Sequence, residues 1–296
     1  MSSEDPGTGQ VLQLFVTNHP RSFGAFTYVY PVVSRRAGGV SIGINLNPDK
    51  ICNFDCVYCQ VERVKPLVPQ EVDLERLRAE LTEMLAWVNR EGIFQHPAFA
   101  DLPEERRRVH DIAFSGDGEP TACRKFKEAV QIAAEARRNL GFEPLKIVLI
   151  TNATLLDRPQ VEEALAILDA NNGEIWAKLD AGTPGYFARV ARTKISFDRI
   201  LKSITHAARK RPIVIQSLFM RLEGEPPPEA EVHAYCDRLN EIGGQGGKIK
   251  LVQIYTVSRK PAESFVSSLS DTELSAIGEI VRQRTGLPVA VFGSLG

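Results

Sequence analysis

Three of the chain's five cysteines lie within eight residues, in Cys52-Asn-Phe-Asp-Cys56-Val-Tyr-Cys59. Three thiolates at C-x3-C-x2-C spacing can bind three irons of a [4Fe–4S] cube, whereas an ordinary electron-transfer cluster takes four. The fourth iron is then left for something other than protein, and an open position suits chemistry more than electron storage. Structural zinc sites take four ligands. No fourth Cys or His stands near the triad in sequence, so iron–sulfur is favoured over zinc. Cys123 and Cys236 sit alone and read as small hydrophobes.

A second chemical segment is Phe114-Ser-Gly116-Asp117-Gly118-Glu119-Pro120-Thr121. Its glycines permit close approach of backbone to a ligand, and Glu119 offers a carboxylate to a cation or ammonium. Alone this reads as a plain β-to-α turn; after a cysteine triad at a strand end it acquires meaning.

The elements that position these segments follow from periodicity. Short β-branched runs occupy 40–46, 109–114, 146–151, 174–179, 212–219 and 249–255, mostly without strict alternation, as strands buried on both faces require. Helical stripes lie between them at 73–90, 158–170 and 271–284, the last opened by Ser270 and Glu273 as a capping box. Further helices are expected at 123–140, 196–210 and 229–242, and 93–108 reads as an irregular insertion. Strand and helix alternate, which argues for repeated βα units and a parallel sheet. Six units give an incomplete barrel, read as one domain over 11–296 with a core of about 38–256 and an extension at 257–296, after a disordered stretch at 1–10. A last strand at 288–292 is expected to close an edge or base, and 221–228 (RLEGEPPP) to form a rigid loop.

Active sites in such architectures collect at the C-terminal ends of strands. The triad follows the first strand and the glycine turn follows the second. Thr151 and Asn152 end the third, and Lys178 and Asp180 close the fourth. Lys178 and Asp180 share a parity, so both point to one side, and an ion pair with a site role competes evenly with a purely structural pair. Gln216, Gln253 and Tyr255 on the last two strands are candidates to line the cavity, or are core polar groups. The pairs Arg35-Arg36 and Arg259-Lys260 are candidate clamps for a phosphate or carboxylate near the site mouth.

Composition excludes little but sets the setting. The 296 residues carry a net charge of −1, which gives no global electrostatic case for nucleic acid. No apolar run is long enough to span a bilayer, and the polar N-terminus has no signal-peptide pattern. A cytoplasmic location is expected, where clustered cysteines read as metal ligands.

Together the triad and the glycine–glutamate turn resemble the radical S-adenosylmethionine (SAM) superfamily. The resemblance implies a partial (β/α)6, TIM-like α/β barrel and two cofactors, a [4Fe–4S] cluster and SAM. Cys52, Cys56 and Cys59 would be the cluster ligands, and the unique iron would be chelated by SAM. Tyr58 would stand beside the adenine. Gly116, Asp117, Gly118, Glu119 and Pro120 would contact the methionine amino group, and Thr151 and Asn152 the ribose or carboxylate. An injected electron would cleave SAM to a 5′-deoxyadenosyl radical that abstracts hydrogen from substrate. An electron donor such as flavodoxin or ferredoxin is implied as partner.

SRRAGGVSIGINLNPDKICNFDCVYCQVER, GDGEPT, IWAKLDAGTP and VQIYTVSRKPAE resemble more narrowly the wyosine-synthesis branch of that superfamily. Members condense a methylated guanosine of tRNA with pyruvate, using a second cluster bound by upstream cysteines and a Schiff-base lysine. Here no cysteine precedes Cys52 and the first lysine is Lys50, so a single-cluster relative with a different or simplified reaction is expected, a tRNA base being one substrate class. The competing reading is a non-enzymatic iron–sulfur or structural metal protein. It accounts for the cysteines but leaves the open ligand position and the turn unused.

Overall fold

A computed structural model describes residues 21, 23–63, 68–90, 92–99, 102–261 and 263–293. The expected disorder at 1–10 lies outside the described residues. The chain divides into two compact units, one within Met1–Ile51, Leu67–Leu149 and Glu163–Glu174, the other within Cys52–Pro66, Ile150–Glu162 and Ile175–Gly296.

The first unit is built on β1 (Val29–Ser34), β2 (Gly39–Ile44), β3 (Val109–Phe114) and most of β4 (Lys146–Thr151). β2–β3 and β3–β4 are parallel pairs, and β1 is an antiparallel edge strand on β2. Its main helices are α1 (Leu74–Asn89) and α3 (Phe126–Asn139), with the single-turn α2 (Gly92–Gln95). Asp73 starts α1 by accepting from the backbone N–H of Glu75 and Arg76, and the stripe Leu77, Leu81, Met84, Leu85 and Val88 is buried, as the spacing requires.

α4 (Pro159–Asp169) and β5 (Gly173–Lys178) straddle the division. The second unit continues with α5 (Pro184–Ala191), α6 (Phe197–Lys210), β6 (Ile213–Leu218), β7 (Arg221–Leu222), α7 (Glu229–Gly244), β8 (Ile249–Tyr255), β9 (Val266–Ser267), α8 (Asp271–Thr285) and β10 (Val289–Phe292). β5–β6, β6–β8 and β8–β10 are parallel, while β7 and β9 form a separate antiparallel pair. β6 is buried throughout, which explains why its sequence reads as an apolar run without alternation. The capping box at Ser270 and Glu273 is formed.

Some features depart from the sequence reading. β1 has no counterpart among the expected strands; its Pro31 weakens the sequence signal and is tolerated because the strand is an edge. The last strand, by contrast, forms as expected: β10 closes an edge, parallel to β8. RLEGEPPP begins as β7 rather than as loop. Within the expected irregular insertion, α2 and 3-10 turns at Pro97–Phe99 and Glu104–Arg106 supply local order; residues 100 and 101 lie outside the described residues.

Candidate active site

The cysteine loop, residues 52–63, has no helix or strand of its own and is tied down by its neighbours in the second unit. Its backbone N–H groups at Asp55 and Val57 donate to the carbonyls of Ala191 and Val190 at 3.1 and 2.9 Å. These belong to the last turn of α5, whose carbonyls have no partner within the helix. Arg192 ends α5 in the left-handed conformation (φ 45°), and its Nε donates to the Asp55 carbonyl at 2.8 Å. Thr193 Oγ1 donates to the Asn53 carbonyl at 2.9 Å, and Phe54 packs edge-on against Phe187 of α5, centroids 5.9 Å apart. Sequence reading missed α5. Its signals were Thr183-Pro184, an N-cap followed by proline at the first helical position, and the spacing of Phe187, Val190 and Ala191.

Asn53 links the loop to the end of β4. It accepts from Asn152 Nδ2 at 2.6 Å and donates to Thr154 Oγ1 at 2.8 Å, while Thr154 Oγ1 donates to Asn152 Oδ1 at 2.8 Å. Three side chains thus close a ring of hydrogen bonds. Asn152 engages both ends of its amide in holding the loop, and neighbouring Thr151 turns its hydroxyl to the backbone N–H of Ala153 at 3.0 Å.

All three triad thiols are half-buried. A turn bond from Cys59 N to Cys56 O (2.9 Å) sets the spacing of the last two. Their surroundings differ. Burial, reinforced by Asp180, pushes the Cys56 thiol up to about 12. Cys59 Sγ accepts from Arg63 Nη1 at 3.0 Å. A metal centre reverses the preference at Cys56, because a coordinating thiol gives up its proton.

Behind the loop stands a polar row. Lys178, Gln216 and Gln253 are register partners across β5, β6 and β8, so they share one face of the sheet. Gln216 Nε2 donates to Gln253 Oε1 at 3.3 Å, and both are buried. Lys178 Nζ donates to Tyr255 Oη at 2.8 Å, lies 3.4 Å from Asp180 Oδ2, and sits 5.0 Å from the centre of the Tyr58 ring. The Tyr58 hydroxyl donates to Asp180 Oδ2, and Asp180 Oδ1 accepts from Leu218 N at 2.8 Å. Burial opposes the Lys178 charge, but Asp180 and then Tyr255 outweigh it and hold the ammonium above the ordinary lysine range. Burial and the Asp180 carboxylate raise the Tyr58 phenol. The surroundings thus favour the charged, hydrogen-bond-donating form of Lys178.

In the first unit, the glycine turn leaves the end of β3. Asn45, just past β2, accepts from Asp117 N at 3.1 Å and donates to Asp117 Oδ2 at 2.8 Å. Arg21 pairs with Asp117 at 3.1 Å and also donates to the Gly116 carbonyl. Glu119 is buried; its Oε1 accepts from Thr121 N and Oγ1 at 3.1 and 2.5 Å and caps the 3-10 turn Pro120–Ala122. The glycines have a reason that sequence did not supply. A Cβ on Gly118 would lie 2.1 Å from the Ile51 carbonyl oxygen, and one on Gly116 would lie 2.3 Å from Asn45 Oδ1. Both glycines make room for the protein itself, and Ile51 is the residue before Cys52. Asn45 was not singled out in the sequence; only its place directly after a strand pointed to it.

The Arg35-Arg36 clamp is a correction. These residues lie in the turn before β2 begins at Gly39, and Arg36 exerts its charge on Asp111 in the first half of β3. The glycine turn follows the opposite end of the same strand. Cys236 is buried as expected, while Cys123 is half-buried.

The donor set suits the cofactor that the sequence suggested, with three thiols, one under a cationic donor, on a loop anchored at several points. A profile of the Radical SAM superfamily matches residues 46–234, well over half of the chain. The chain belongs to the radical SAM superfamily. Its cofactors are accordingly a [4Fe–4S] cluster and SAM. Among solved structures it is similar to TYW1 with a lysine-pyruvate adduct bound, at 15% identity and a TM-score of 0.53, covering 82% of this chain and 73% of that one. That likeness shows a shared fold, the partial (β/α)6, TIM-like barrel of the radical SAM type. Curated relatives include a UPF0026 protein of Synechocystis, 28% identical over 60% of this chain and 58% of its own length. Another UPF0026 protein, from Methanocaldococcus jannaschii, is 30% identical over 47% of this chain and 37% of its own. A protein named GTPase Obg from Brachyspira hyodysenteriae is 24% identical over 82% of this chain and 32% of its own. The chain thus spans between about a third and somewhat over half of these relatives' lengths. Among the described residues, no helix is long and apolar enough to cross a membrane.

Proposed function

We propose that this radical SAM enzyme holds a single [4Fe–4S] cluster on Cys52, Cys56 and Cys59 and uses it to cleave SAM reductively, abstracting hydrogen from a substrate. The observation that carries this reading is the anchoring of the triad loop. Three thiols on a segment without regular structure are fixed by α5, by Arg192 and by the Asn53–Asn152–Thr154 ring. When bound, the cluster and SAM supply one-electron chemistry, the electron coming from a donor of the flavodoxin or ferredoxin kind.

The chain's own residues do the rest. Asn152 orients the loop through Asn53, with Thr151 bracing the adjoining backbone. Tyr58, fixed by its bond to Asp180, presents a ring edge of constant position for the adenine. The turn Gly116, Asp117, Gly118, Glu119 and Pro120 gives a rigid backbone for the methionine amino group. Lys178 and Asp180 are the candidate catalytic pair, the ammonium offering a permanent cation to an anionic or carbonyl group of the substrate. Gln216 and Gln253, bonded to each other on the same face of the sheet as Lys178, are candidate cofactor contacts. A tRNA base is the substrate class supported by the resemblance to the wyosine branch.

Anaerobic reconstitution with iron and sulfide, then dithionite and SAM, tests the reading. A brown protein that releases 5′-deoxyadenosine is expected, with colour and product both lost in Cys56→Ala. A fully loaded protein that releases none contradicts it.

A further inference from the structure

Arg63 places a cation beside the triad. It lies four residues after Cys59, in a stretch without helix, so no helical spacing brings the two together. Yet its Nη1 donates to Cys59 Sγ at 3.0 Å, and its guanidinium is half-buried within electrostatic reach of both Cys59 and Cys52. The nearby carboxylate of Asp55 lies 3.6 Å from Arg192 Nε, so this acid has a second cation and does not hold Arg63 alone. Between Cys59 and Arg63 the loop is fixed by Gln60, whose Nε2 donates to the Arg259 carbonyl at 3.2 Å.

We infer that Arg63 is a positioning residue that sets the reduction potential of the cluster by hydrogen-bonding the Cys59 sulfur. The inference rests on the cluster assignment proposed above. Reduction adds one negative charge to the iron–sulfur core and its thiolates. A guanidinium bonded to one of those sulfurs stabilises the reduced form more than the oxidised form, because the attraction grows with the charge it faces. Hydrogen bonds to sulfur and local charge are among the factors that fix such potentials. Arg63 therefore raises the potential and eases delivery of the electron. The guanidinium keeps its charge throughout and makes no bond with substrate.

The test is a redox titration of the reconstituted protein, read by electron paramagnetic resonance (EPR) against fixed-potential mediators, with iron content measured in parallel. In Arg63→Gln the ratio of reduced to oxidised cluster at a given ambient potential should fall about tenfold, or about 60 mV for a one-electron couple. Arg63→Lys, which keeps the charge without the planar fork, should recover most of that loss. Arg63→Met, which retains the stem's packing, replaces the glutamine variant if that one does not fold. An unmoved potential in a neutral variant with full iron content overturns the inference. So does a folded neutral variant that binds less iron, since Arg63 would then serve assembly. A wild-type protein that takes up no cluster overturns the functional reading and this inference with it, whereas a normal wild-type cluster with an unmoved variant overturns this inference alone.

Discussion

The cysteine loop and the glycine turn are both short, irregular segments at strand ends, yet they are held in opposite ways. The loop is held by attachments from outside it, namely carbonyls of α5, Arg192, Thr193 and the Asn152–Thr154 pair. The turn combines bonds made by its own side chains Asp117 and Glu119 with a close approach that only glycine permits. Gly118 and Gly116 lie so close to the Ile51 carbonyl and to Asn45 that no side chain fits. The loop's own backbone N–H groups are bonded by its neighbours, as at Asp55 and Val57. In the turn, hydrogen atoms replace side chains only at Gly116 and Gly118, where the chain packs against Asn45 and Ile51. Many separable bonds should fail gradually under mutation, and one steric constraint should fail at once.

The sharpest way to break this contrast is Gly118→Ala. The added methyl meets backbone rather than a flexible side chain, so the Ile51–Cys52 connection or the turn must move. A loss of about 1–3 kcal/mol is expected, as for other overpacked sites, together with severalfold lower iron uptake. Thermal unfolding of the metal-free protein and iron analysis after reconstitution measure the two effects. An unchanged Tm with full iron loading would remove the steric argument.

Asn152→Ala should do less. It leaves Asn53 and Thr154 short of partners, a cost of about 1–3 kcal/mol if no water replaces the amide, but the α5 contacts remain. Iron uptake should slow while the final content stays near that of the wild type. Hydrogen exchange should rise within 52–59 and leave 115–121 unchanged. If exchange rises equally in both segments, the two are not independently held and the contrast fails.

This contrast also marks what sequence could and could not reveal. The triad, its spacing and the six alternating βα units were legible, because ligand spacing and burial periodicity are local properties. α1 and α8 fall where their apolar stripes place them, α8 opened by its capping box. The attachments were not legible. Asn53 and Asn152 are 99 positions apart, and Asp55 and Arg192 are 137 apart, so only the folded topology joins them. α5 was hidden because it is only eight residues long and contains Gly185, although Thr183 and Pro184 announced its start. The glycines have a second cause that no local pattern implied: a Cβ at Gly118 would meet the Ile51 carbonyl, and one at Gly116 the Asn45 side chain. Lys178 and Asp180 do form the pair that parity suggested, and Tyr58 joins them through Asp180. Tyr58 thereby gains a fixed orientation that no local pattern implied.

The central claim is that three cysteines hold the cluster and leave one iron for SAM. The direct measurement is the EPR spectrum of the dithionite-reduced, fully loaded protein with and without saturating SAM. SAM should alter the spectrum, and its methionine amino or carboxylate group, isotopically labelled, should couple magnetically to the cluster. A spectrum unchanged by SAM, on a protein with full iron and sulfide content, would contradict that claim.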